Sequence, residues 1–106
     1  SNSISVLAEE AGVAYKNLKR IKEAGLSFER ALKLKPGSPE VYNNLGNVYT
    51  AMEKFDLAIK HYQRAIELKP RYVEAYRNLG AVYFFTGKTQ KAIDLHLKAE
   101  KLTKGQ

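Results

Sequence analysis

The chain has 106 residues, 44% of them hydrophobic, no cysteine and a formal net charge of +7. That is one domain's worth of chain with enough apolar residues for a core. It has no apolar run near the roughly 18 residues that cross a bilayer, and nothing to make a disulfide, a thiolate nucleophile or a Cys-based metal site.

The opening, SNSIS without Met, is expected to be a tag remnant or an irregular start over residues 1–4, and the chain a piece of a longer protein. The absence of cysteine suits a cytoplasmic location. From Ser5 onward the sequence repeats itself: NNLGNVY at residues 43–49 returns as RNLGAVY at 77–83, an offset of 34. Three units tile the chain at that offset, 5–38, 39–72 and 73–106. The first carries Gly12, Tyr15, Ala24, Phe28, Ala31, Leu34 and Pro36 at the matching positions. The second carries Tyr42, Leu45, Gly46, Tyr49, Ala58, Ala65 and Pro70, and the third Tyr76, Leu79, Gly80, Tyr83, Ala92 and Ala99.

Each unit reads as two helices. In the middle one Ser38 suits an N-cap and Pro39 the first helical position, where its missing N–H is harmless. A first helix then runs to about Met52, a turn falls near Glu53 and Lys54, and a second helix runs from about Asp56 to Lys69, ended by Pro70. The third unit repeats this with TGKT as its turn. Tyr42, Leu45 and Tyr49 make one helical stripe, and Ala58, Tyr62 and Ala65 another. Gly46, Ala58 and Ala65 let the helices approach, and the tyrosines fill the gaps between units.

YNNLGNVY followed by AIKHYQRAIELKP resembles the tetratricopeptide repeat family, with Tyr in place of the family's Trp and Phe. The resemblance implies an all-α, right-handed solenoid of three helix-turn-helix repeats, six antiparallel helices in all, with a concave groove for protein partners. Two units depart from the pattern. The first has Ala8 and Ala11 where its siblings have Tyr and Leu, and Gly25 inside its second helix. It also runs from Val13 to Ala24 without Gly or Pro, so straightening into one long helix and exchange with a second chain is a rival to the ordinary hairpin. The hairpin is the expectation, because TAMEKFD in the second unit also lacks a turn glycine. The third unit has His96, Glu100 and Lys104 where its siblings carry aromatic, aliphatic and Pro residues, which suits the wettable end of an array.

No enzyme chemistry is legible. Gly87-Lys88-Thr89 ends like a phosphate loop, but Val82 stands where that loop needs its first glycine. His61 and His96 have no Cys or carboxylate at ligand spacing, so no metal and no cofactor is expected.

At about 100° per residue, the side of each first helix opposite its Leu-Gly-Tyr stripe resembles the groove lining of the family. The candidate partner-binding residues are Asn43, Asn44, Asn47, Glu74, Arg77, Asn78 and Phe84. Glu40, Thr50, Ala51, Ala81 and Phe85 complete the lining in the second and third units, and Val6, Glu9, Glu10, Val13, Lys16 and Asn17 supply it in the first. Four acids against two bases leave that lining at −2, so the basic excess sits on the second helices and loops, among them Arg30, Lys60, Arg64 and Lys98. No aromatics are interleaved there for base stacking, which argues against nucleic acid. The family's carboxylate clamp for acidic C-termini would need basic residues and Asn where this chain has Glu9, Val13, Asn44, Glu74 and Asn78, so a chaperone tail is disfavoured. Asn44 and Asn78 resemble instead the asparagine ladder of glycosyltransferase-type repeats, which holds a peptide backbone through amide side chains. The expected function is a scaffold holding a partner's peptide or helix. The alternatives are an accessory domain of a larger enzyme and a self-association module.

Overall fold

The computed structural model describes residues 2–105, with side chains from Asn17 onward. Five helices follow one another: α1 (Asn2–Leu34), α2 (Pro39–Ala51), α3 (Phe55–Leu68), α4 (Val73–Phe85) and α5 (Thr89–Lys104). Helices α2 and α3 form one hairpin, α4 and α5 a second, and α3 packs on α4, so the elements stack in chain order as a helical solenoid. Ser38 caps α2, its Oγ accepting the Val41 N–H at 3.3 Å, with Pro39 in the first turn. Glu40, Asp56 and Glu74 lie in the first turns of α2, α3 and α4, where a negative charge meets the positive end of the helix dipole.

Both hairpins close in the same way. Glu53 and Gly87 take positive φ values of 59° and 81°. The Lys54 N–H then reaches the Tyr49 carbonyl, and the Lys88 N–H the Tyr83 carbonyl, each at 2.8 Å. Glu53 N–H bonds to Thr50 O at 3.0 Å and Gly87 N–H to Phe84 O at 3.1 Å, which completes a Schellman termination of α2 and of α4.

The first unit differs. The expected six helices are five, because Lys19 and Arg20, which match Glu53 and Lys54 in the repeat, stay helical inside α1. Residues 2–4, expected as an irregular start, belong to the same helix. A left-handed residue without glycine costs about 1–2 kcal/mol. In the second unit the hairpin offsets this at Glu53 by burying Leu45 to 1% exposure, and a buried Leu outweighs an Ala by about 2–5 kcal/mol. Ala8 and Ala11 in place of Tyr42 and Leu45 give the first unit no such return, and the Lys, Leu and Arg residues around Lys19 are good helix formers.

The core lies between the two hairpins, where Ala58, Tyr62, Leu79, Val82 and Tyr83 are buried and Tyr49, Phe55, Ile59, Ala92 and Leu95 pack around them. Gly46 is required there: a Cβ at that position would run into the Tyr62 ring. Gly25, a weak point of α1 on helix propensity, has its own packing reason. A Cβ on it would stand 3.1 Å from Val48 Cγ1, so its absence lets α2 come close to α1. Tyr49 ties the same two helices by donating its hydroxyl hydrogen bond to Glu29 Oε1 at 2.9 Å. Among the signature residues, Gly12 and Tyr15 lie outside the residues with described side chains.

Candidate interaction site

The faces of α2 and α4 expected to meet a partner divide into two groups according to whether a following helix covers them. Asn43 is the clearest case. It is 1% exposed, and its Oδ1 accepts a hydrogen bond from Asn78 Nδ2 at 3.1 Å, joining α2 to α4. Asn43 is therefore not open to a partner, and the Asn78 amide is already committed to holding the repeats together. A lone buried amide would cost about 1–3 kcal/mol, and the pairing removes that penalty.

Asn47 is exposed, yet its Oδ1 accepts the Tyr62 hydroxyl at 2.6 Å, and Thr50 Oγ1 stands 3.2 Å from the same hydroxyl while donating to Gly46 O at 2.8 Å. Burial raises the Tyr62 pKa above its ordinary value of 10.0, the Thr50 hydrogen bond pulls it back, and the Glu74 charge raises it further. Asn44 is half-buried, whereas Glu74 and Arg77 are exposed. Glu40 lies 3.7 Å from Lys69 Nζ, and Lys69 in turn sits 4.5 Å above the Tyr72 ring. Of the first unit's lining, Val6, Glu9, Glu10, Val13 and Lys16 fall outside the described side chains, while Asn17 is exposed on α1.

In α4, Arg77, Ala81 and Phe84 line one side of an open hollow of about 370 Å³, and Thr89, Ala92, Ile93 and His96 of α5 line the other. Subtracting the repeat period gives their counterparts Asn43, Asn47 and Thr50 on α2 and Phe55, Ala58, Ile59 and Tyr62 on α3. There the equivalent cleft is filled: Ala58 is 0% and Tyr62 2% exposed under α4. In the last unit Phe84 is 67% and Ile93 46% exposed. The hollow is thus the seat that a next helix would occupy. Phe85, 72% exposed, meets Phe84 edge-on with ring centroids 6.4 Å apart.

Ile93 was missed as a site residue from sequence because in the second unit its counterpart Ile59 packs against the core. The available signal was its place in the third unit, on the face that the following helix covers in the second. His96 and Glu100 do give this end a polar strip, with Nε2 and Oε1 3.4 Å apart, so the surface is mixed rather than wholly wettable.

Among the described residues no His, Cys, Asp and Glu cluster could hold a metal, and no helix is long and apolar enough to cross a membrane. Part of the basic excess is engaged locally. Arg64 lies 3.6 Å from Glu67 and over the Tyr42 ring, and Lys88 and Lys91 flank the Tyr83 ring. The Arg64–Glu67 pair is exposed and adds little stability.

No curated protein matches the chain. Solved structures do, among them three MamA structures. A MamA crystal structure is 29% identical with a TM-score of 0.78, covering 81% of this chain and 50% of that one. A second MamA crystal structure is 30% identical with a TM-score of 0.74, covering 79% and 46%. MamA 41-end from Desulfovibrio magneticus RS-1, at 22% identity and a TM-score of 0.79 over 88% and 56%, shares the fold. The chain therefore spans about half the length of each of these proteins. The family model of the TPR repeat matches residues 12–52 and 46–87, together most of the chain. The chain belongs to the tetratricopeptide repeat family.

Proposed function

We propose that this chain, whose fold is that of the tetratricopeptide solenoids that serve in general as protein-interaction scaffolds, acts as a binding module, without catalysis of its own, and that its partner inserts a helical segment into the hollow between α4 and α5. The observation that carries this reading is internal to the chain: the same cleft one repeat earlier is occupied by α4, and the last one stands open with Phe84 and Ile93 exposed. A helix fits better than an extended peptide, because of the ladder pair Asn44 and Asn78 the second already donates its amide to the buried Asn43. Phe84 would be the apolar anchor, Ile93 and Ala81 the walls, and Arg77 at the rim would meet an acidic side chain.

The test is photocrosslinking followed by calorimetry. A benzoylphenylalanine at Phe84 should trap a partner that the same probe at Lys60, an exposed residue of α3, does not trap. With that partner in hand, Phe84→Ala should weaken binding about tenfold or more at unchanged helix content, since apolar anchors often carry about 2 kcal/mol or more. Equal crosslinking from Lys60, or full-strength binding by the Ala variant, would move the binding surface elsewhere.

A further inference from the structure

The cleft between α2 and α3 and the one between α4 and α5 differ in more than their cover. In the second unit the Tyr62 ring lies directly on Gly46, and its hydroxyl is held by Asn47 Oδ1 at 2.6 Å and Thr50 Oγ1 at 3.2 Å, both on α2. The ring fills the notch that the missing Cβ of Gly46 leaves in the side of that helix. The third unit keeps the glycine and changes its surroundings. Gly80 matches Gly46, but Ala81 stands for Asn47, Phe84 for Thr50 and His96 for Tyr62.

His96 does not take the place of the ring. Among the described residues, a Cβ on Gly80 would find Leu95 Cβ at 3.5 Å and Ala92 O at 3.6 Å, with no atom of His96 within 4 Å. The imidazole is turned instead to Glu100, one turn on along α5, with Nε2 3.4 Å from Oε1 and its side chain 66% exposed. The notch is thus left open, and Gly80 lines the hollow together with Ala81, Phe84, Ala92 and Ile93.

We propose that the notch at Gly80 receives a phenyl ring from the partner, so that the helix entering the hollow carries a Phe, in preference to a Tyr, facing Gly80. This rests on the binding of a helix in that hollow and names the side chain that decides which helix is taken. The shape argument is the second unit, where a glycine at the same repeat position carries a ring against its backbone. The preference for Phe follows from what replaces the anchors of the Tyr62 hydroxyl. Asn47 and Thr50 hold that hydroxyl, whereas Ala81 and Phe84 have no side-chain polar atom to offer one. Once a helix covers the hollow, a hydroxyl left there without a partner carries its full desolvation cost. Arg77, exposed at the rim and in no ion pair among the described residues, adds an acidic residue to the partner's pattern.

The experiment uses a displayed library of helical peptides with one randomised face, selected on the full chain and sorted by loss of binding to Phe84→Ala. The clones that bind the hollow should carry Phe rather than Tyr at one position and an acid at another. Synthetic peptides of those clones, measured by calorimetry, should bind Gly80→Ala at least about tenfold more weakly. They should do so although that variant unfolds at a higher temperature, because its Cβ takes the space of the ring, as a Cβ on Gly46 would run into Tyr62. Changing the peptide's Phe to Tyr should weaken binding about tenfold as well. Hollow-binding peptides that hold Gly80→Ala as tightly as the wild type, or that take Tyr as readily as Phe, would overturn the notch and leave the helix in the hollow standing. A library whose binders all keep full strength on Phe84→Ala would overturn both.

Discussion

Gly46 and Gly80 occupy the same place in successive repeats and answer to opposite constraints. At Gly46 a methyl would strike the Tyr62 ring, which is 2% exposed and pinned through its hydroxyl to Asn47 and Thr50. At Gly80 the nearest atom to such a methyl is Leu95 Cβ at 3.5 Å, an ordinary contact. Gly46→Ala should therefore lose about 1–2 kcal/mol, overpacking outweighing the gain in helix propensity. Gly80→Ala should gain about 0.5–1 kcal/mol. Urea unfolding of the two variants checks the pair, and a shared sign would contradict the packing described for Tyr62. The tyrosines also set an alkaline limit. Burial, and then the neighbouring Glu29 or Glu74, raises the pKa of Tyr49, Tyr62 and Tyr72 above 10.0. A raised folded pKa means the unfolded chain releases these protons first, so their contribution is whole below about pH 10 and is lost as pH rises through the folded values. The urea midpoint should fall as pH rises above about 10, and fall less in a variant with the three tyrosines changed to Phe.

The helices α2 to α5 were legible as elements because punctuation and packing agree: Ser38 and Pro39 start one, Pro70 follows another, and Gly87 turns a third. The straight α1 was not, since TAMEKFD lacks a turn glycine as completely as the matching stretch of the first unit does. What separates them is distant in sequence. Leu45 and Tyr62 reward the turn at Glu53, whereas Ala8 and Ala11 reward nothing at Lys19. Lys19→Gly should act on this balance twice, by removing the left-handed penalty of the closed form and by weakening the helix of the open one, each by about 1 kcal/mol. Helix content by circular dichroism should fall in the variant, and its backbone carbon shifts at residue 19 should move away from helical values. An unbroken helix through residue 19 in the variant would mean that the turn residue is not what holds α1 open.

On the scale of the whole molecule, a repeat position means different things in different units. Asn43 and Arg77 are equivalent in sequence, yet the first is buried under the next repeat and the second stands at an open rim. Periodicity gives the face of a residue but not whether a neighbour covers it, which is why Asn43 was expected in the lining and Ile93 was not. Two uncovered surfaces lie at opposite ends of the stack, along α1, where Leu18 and Leu26 are exposed, and between α4 and α5. The first of them exists only because α1 passes straight through Lys19 and Arg20. The most direct check is the backbone carbon chemical shifts of residues 17–23 in solution, with Glu53 and Gly87 as internal references for a left-handed turn. Helical shifts without interruption through Lys19 and Arg20 are the expected result, and a left-handed signature at Lys19 like that of Glu53 would contradict it.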